Sequence, residues 1–246
     1  MVKSNGYIPS YGSLLELNTS RVILDAIDPD TLTDIVNNYL DLLDTSAAVY
    51  EPNGDYALGM FSSGWCQCLD QASRNLCGTD DNKKALDSGK WLCHESCWVD
   101  ASKVSIQREE PVDIECRGGI RLYAVPIKAG KEVVGAINFG YGTPPQDKKK
   151  IREIAEKYGA DPKELIKLAR AYKVRTPFAI EAAKKQLHTT AKLIGEIIER
   201  KKIECELKDK MRELEIFNKM AVGRELRMAE IKEENEQLKK KIENSN

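Results

Sequence analysis

The stretch WLCHESCW, residues 91–98, places two thiols, an imidazole and two indoles within eight residues. Wound as a helix, it sets Cys93 and Cys97 about one turn apart, where both sulfurs could reach a single ion. Tetrahedral zinc needs two more donors, and Cys77 and Cys116 are the nearest spaced candidates; an iron–sulfur cluster would draw on the same four thiolates. The intervening stretches of 15, 3 and 18 residues are unlike the tight pairs of a zinc ribbon.

Other chemistries compete for these residues. His94 could depress the Cys97 thiol and make it a nucleophile. No orienting third group or oxyanion motif accompanies the pair, and His188 is the other histidine, so the chain is expected not to be an enzyme. A Cys93–Cys97 disulfide would be strained along a helix, which leaves redox sensing as an alternative. Free cysteines also pack as small hydrophobes, the plain reading for Cys66 and Cys68, which alternate near an expected strand.

A binding pocket is the fourth possibility. Trp65, Trp91 and Trp98 could form its apolar walls, with His94, Glu95, Glu115, Arg117, Tyr123, Asn138 and Tyr141 as polar handles for a small organic effector. Asn138 lies within the apolar run AINFGYG, so its amide must find a partner in backbone or ligand.

The surrounding sequence supplies elements able to position these residues. Residues 20–44 carry apolar positions at helical spacing (Ile23, Ile27, Leu32, Val36, Leu40, Leu43), with Asp28-Pro29 capping the second of two short helices. SAAVYEPNGDYALGM reads as a hairpin turning at Asn53-Gly54. Helical stretches at residues 80–88 and 99–107 flank the octapeptide. DIECRG follows, then IRLYAVPI and EVVGAINFGYG, joined by a turn at Gly130. Two amphipathic helices come next, one stopped by Gly159 and one opened by Asp161-Pro162. This order predicts an α+β sensor domain with an antiparallel sheet and flanking helices.

In 246 residues, 38 lysines and arginines nearly balance 39 aspartates and glutamates, so no net field favours nucleic acid or an anionic membrane. With no apolar run of signal-peptide or membrane-spanning length, the expected location is the cytoplasm. Near residue 178 composition turns charged and free of proline. This divides a globular domain, 1–177, from a helical rod with a coiled coil, 178–246.

In the second part, Leu207, Leu214, Ala221, Met228, Asn235 and Ile242 form an a series, and Ile203, Lys210, Phe217, Arg224, Ile231 and Leu238 a d series. Asn235 at a favours a parallel homodimer, while Lys210, Arg224 and Gly223 weaken the seam. Cys205 falls at an outward position. Ile180, Leu187 and Ile194 make an earlier series one residue out of phase, which suits either a static rod or a helix that transmits a signal.

The runs GWCQCLDQASRNLCGTDDNKKAL, GKWLCHESCWVDASKVSI and EPVDIECRGGIRLYAVPIKAGKEVVGAINFGYG resemble the PocR-type sensory domain across roughly residues 13–170. The resemblance implies a PAS/GAF-like fold sensing small hydrocarbon derivatives such as diols, ahead of a coiled coil, kinase, further sensor or DNA-binding region. It matches Cys97 and Cys116 to the family's recurring cysteines, beside Gly118-Gly119. Cys68, Cys77 and Cys93 depart from that pattern. No kinase, cyclase or helix-turn-helix follows the coil in this sequence, so the output is expected either from a signalling or regulatory protein partner or from a part missing from this chain.

Overall fold

A computed structural model describes residues 9–43 and 45–243, with side chains left aside at 38–43 and 241–243. Leu40, Leu43 and Ile242 of the apolar series therefore lie outside the described side chains. The first hairpin forms where Asn53-Gly54 marks it, between β1 (Ser46–Tyr50) and β2 (Tyr56–Phe61). Gly54 has a φ of +100°, and a Cβ there would come within 2.5 Å of the Trp98 ring, so both conformation and space call for glycine.

Beyond β2, α2 (Gly64–Asn75) and α3 (Asn82–Asp87) lead into a continuous helical segment. It runs as α4 (Leu92–His94), a π-helix (Glu95–Ser102) and α5 (Lys103–Arg108). Then β3 (Val112–Glu115), β4 (Arg121–Ala129) and β5 (Glu132–Tyr141) form an antiparallel meander. β5 pairs with β1, giving the order β2-β1-β5-β4-β3. This is the antiparallel sheet with flanking helices that the sequence predicts.

The helical caps follow local chemistry. Asp28 accepts from the Thr31 amide at the start of α1 (Pro29–Leu43), while the residues before it form turns rather than a first helix. Asp147 caps α6 (Lys148–Tyr158), and Gly159 ends it at φ +66°. Asp161 and Pro162 open α7 (Pro162–Ala171). Cys66 and Cys68 lie on α2 rather than near a strand. Ser63 caps that helix, and Trp65 and Leu69, four apart, bury one face of it.

Strand alternation divides the core. Ala47 and Val49 of β1 and Ile137 and Phe139 of β5 face one side with Ile23, Leu32 and Val36, against the start of α8 (Pro177–Glu243). The opposite side of the sheet faces α2, the π-helix and α6.

Two units are distinguished, Met1–Glu199 and Arg200–Asn246. The first extends past residue 177 because Ala183, Leu187, Ala191, Ile194 and Ile198 of α8 complete its core. The shift in composition marks where α8 starts, not where packing stops. A Cβ on Gly195 would overlap the Lys128 carbonyl, so this glycine lets α8 lie directly against the backbone at the end of β4. The second unit, taken alone, is helix through residue 243 with Leu207, Leu214, Phe217, Met228 and Leu238 exposed.

Candidate functional site

A cavity of about 50 Å³ lies between the helix-covered face of the sheet and α2, the π-helix and α6. Each element contributes through its periodicity. Ser46, Ala48 and Tyr50 alternate along β1; Asn138 and Gly140 do so along β5. Trp65, Cys66 and Leu69 come from α2, Cys93, Ser96 and Cys97 from the octapeptide, and Tyr158 from the end of α6. Cys116 and Gly118 arrive on the turn after β3, where the Cys116 amide donates to Ile120 O at 2.7 Å.

Five residues singled out in the sequence share this cavity: Trp65, Asn138, Cys93, Cys97 and Cys116. Asn138 does find backbone: its amide donates to Cys97 O at 3.1 Å and to Ser102 Oγ at 2.8 Å, tying β5 to the π-helix. Trp65 Nε1 donates to Gly118 O at 3.1 Å.

The remaining candidates stand elsewhere. Trp91 is buried and donates to Asp70 Oδ1 at 2.8 Å. His94 shares a 3.0 Å hydrogen bond between Nδ1 and the Tyr56 hydroxyl, and Trp98 packs on Tyr50 with ring centres 5.3 Å apart. Glu95 opens the π-helix, half-buried. Glu115 pairs with Lys150 at the surface, and Arg117 pairs with Asp100 while its amide donates to Ser96 Oγ. Tyr123 and Tyr141 lie on the other face of the sheet, beside Phe139. Strand parity shows why: Asn138 and Tyr141 are an odd number of residues apart on one strand, so they cannot share a face.

On that second face the tyrosines bind the helix instead. Asp113 accepts from Arg121, Tyr141 and Lys184; the Lys184 ammonium lies over the Tyr123 and Tyr141 rings; and Tyr123 OH pairs with His188 Nε2 at 2.8 Å.

The expected four-cysteine metal set is not gathered. Cys77 Sγ turns to Ser73 O and Ala85 O instead, and the fourth thiol on the cavity is that of Cys66. Among the described residues, no three histidine, cysteine or carboxylate side chains come together in a way that could hold a metal ion. Neither zinc nor an iron–sulfur cluster fits this arrangement. The seven cysteines are free thiols.

Electrostatically the cavity is neutral. Burial raises the Cys93 and Cys97 thiols well above the usual thiol range and pushes Cys116 up to about 11. Burial lowers His94 to about 4, so the imidazole, held by Tyr56, is a poor proton acceptor for Cys97. Among the described residues no charged side chain lines the wall. The hydroxyls of Ser46, Tyr50 and Tyr158 are buried without a hydrogen bond of normal geometry, although Ser46 approaches Cys66, Tyr50 approaches Tyr56 and Tyr158 approaches Cys93. Such groups want partners.

Sequence reading missed Ser46, Tyr50, Tyr56, Cys66 and Tyr158. For Ser46 and Tyr50 the signal was available, since they share parity with Ala48 on a strand bounded by a clear hairpin.

Residues 25–198 match the family described as the sensory domain found in PocR, and the chain belongs to that family. No curated protein matches it. The crystal structure of the GAF domain/HD domain protein from Geobacter sulfurreducens is similar at 11% identity and a TM-score of 0.33, over 72% of this chain and 97% of that one.

Proposed function

We propose that this chain is a non-enzymatic receptor for a small uncharged organic molecule and reports occupancy through a dimeric coiled coil to a signalling or regulatory protein. One observation carries the ligand class: an apolar, uncharged cavity with the hydroxyls of Ser46, Tyr50 and Tyr158 lacking well-formed hydrogen bonds. A space of this size holds about three or four waters or a solute of similar bulk. A carboxylate or ammonium would meet no counter-charge there and would pay heavily for desolvation. A short alcohol, diol or ketone offers both a hydrocarbon body and a group for the hydroxyls. Membership of a sensory-domain family supports the receptor role, and the diol sensing implied by the sequence resemblance agrees with the cavity's chemistry.

For transmission, Asp113 lies on the short strand that leads into Cys116 and bonds to Lys184 on α8. Displacement of the Cys116 turn by a ligand would therefore be felt at that helix. The exposed heptad positions of the second unit favour pairing with a second copy.

A thermal-shift screen of the full chain against short alcohols, diols and ketones, with carboxylates and amines of equal length as controls, tests the reading. Saturation at about 100 times Kd stabilises by about 2.7 kcal/mol, or roughly 5–10 °C for a domain of this size. Shifts confined to the neutral compounds are expected. If no neutral compound shifts the transition, the receptor reading gives way to a ligandless dimerisation scaffold.

A further inference from the structure

The cavity has a neighbour. A groove of about 250 Å³ runs between β2 and the N-terminal segment, lined by Tyr11, Leu14, Leu15 and Leu58 among others. Tyr56 and Phe61 line both the groove and the cavity, so these two rings divide one space from the other. Between them on β2 stands Gly59. It pairs with Ala48 of the cavity wall, and directly paired residues point to the same face of a sheet. A bulge in the pairing keeps Tyr56 on that face as well. The dividing wall thus consists of two aromatic rings with a position lacking a side chain between them, on an edge strand.

The segment above this gap is fastened at a few points. Tyr11 OH donates to Asp70 Oδ2 at 2.8 Å, its ring meets Trp91 edge-on at 4.8 Å, and its carbonyl accepts from Asn82 Nδ2 at 2.8 Å. Ser10 adds a bond to Gln71 at 2.6 Å.

We propose that the gap at Gly59 is the port through which a small uncharged solute passes between groove and cavity, and that residues 9–15 are its cover, held shut by Tyr11. This rests on the cavity being a binding site, and it adds the route and the element that sets the rate. The groove is lined mainly by apolar side chains, in keeping with a neutral solute.

The cavity thiols serve as reporters. The full chain is treated with methyl methanethiosulfonate at pH 8 and modification at each cysteine is followed by mass spectrometry, with exposed Cys205 as the reference and Cys77, outside the cavity, as a control. Tyr11→Ala is expected to speed modification of Cys66, Cys93, Cys97 and Cys116 relative to Cys205 by roughly fivefold or more, as for release of a local closure. Gly59→Val is expected to slow it by a similar factor. The ideal Cβ at this position meets only the Tyr56 ring, at 3.5 Å, so the substitution fills the gap without a clash at its first atom. The port is overturned if Gly59→Val leaves the four rates within about twofold of wild type, or if Tyr11→Ala speeds Cys77 in the same proportion, which marks general loosening. Should Tyr11→Ala fail to fold, Gly59→Val decides alone. A solute screen without hits, beside the expected labelling pattern, overturns the receptor reading while the port stands.

Discussion

The Asp113 carboxylate on β3 and the Lys184 ammonium on α8 lie 3.0 Å apart, joining the edge of the sheet to a helix 71 residues further along the chain. Both side chains are largely covered, at 29% and 19% exposure. Burial by itself would raise the Asp113 carboxyl, but hydrogen bonds from Tyr141, Lys184 and Arg121 outweigh it and hold the group below its ordinary value.

From this pair we expect Lys184→Met and Asp113→Asn each to destabilise the chain by about 1 kcal/mol, with the double variant costing less than the sum. Because the folded Asp113 is the stronger acid, its contribution is present above its unfolded pKa and lost as pH falls through the folded one. Urea unfolding of the four species at pH 7, and again well into acid, measures both effects. Strict additivity at pH 7 would show that the two groups are uncoupled.

A second expectation concerns pH. Burial raises Asp70 to about 6, moderated by hydrogen bonds from Trp91 and Tyr11 and by the charge of Arg74, whereas burial lowers His94 to about 4. Asp70 stays protonated in the fold at pH values where the unfolded chain has released its proton, so its stabilising contribution disappears as pH rises through about 6. His94 acts in the opposite sense. The unfolded chain binds a proton that the folded imidazole refuses, so folding gains as pH climbs from about 4 to about 6.5. Each contribution is on the order of 3 kcal/mol, and across this window they nearly cancel. Asp70→Asn should unmask stability that rises with pH, and His94→Gln stability that falls. Identical pH profiles for the two variants would contradict this.

Asn138 positions the wall of the cavity. Replacing it with leucine deprives Cys97 O and Ser102 Oγ of their donor, and we expect a loss of about 1–3 kcal/mol. Hydrogen exchange should be faster at the π-helix than at α7, which Asn138 does not touch. Uniform acceleration would indicate global destabilisation alone.

The second unit is expected to pair. Sedimentation of the full chain should give twice the chain mass, and Leu214→Lys with Phe217→Lys, at neighbouring a and d positions, should give single chains. Gly223→Ala should strengthen the helix by about 1 kcal/mol without changing the assembly. A wild-type chain that sediments singly at micromolar concentration would remove the dimer.

Much of the architecture was readable because it rests on local chemistry. Asn53-Gly54, Gly130, Gly159 and Asp161-Pro162 each impose a backbone conformation whatever packs around them. α2 was harder to see, since GWCQCLDQASRN buries only a narrow stripe and its cysteines alternate as in a strand. The site was legible only in part, for a related reason. Sequence proximity joined His94, Trp98 and Arg117 to the cavity cysteines, but a helical turn sends successive side chains in different directions, and each met another partner. Cys77 is nearer to Cys93 along the chain than Cys66 is and so was the donor that spacing favoured, yet it lies beyond the end of α2, and it is Cys66 that lines the cavity with Trp65 and Leu69. Tyr123 and Tyr141 required attention to strand parity, which composition does not reveal.

The four sulfurs around the cavity have a consequence beyond shape. A thiol reacts with peroxide chiefly as its anion, and burial keeps these groups protonated at ordinary pH. Sulfurs that would oxidise readily on an open surface are therefore slow to ionise, and slow to oxidise, while the cavity stays closed.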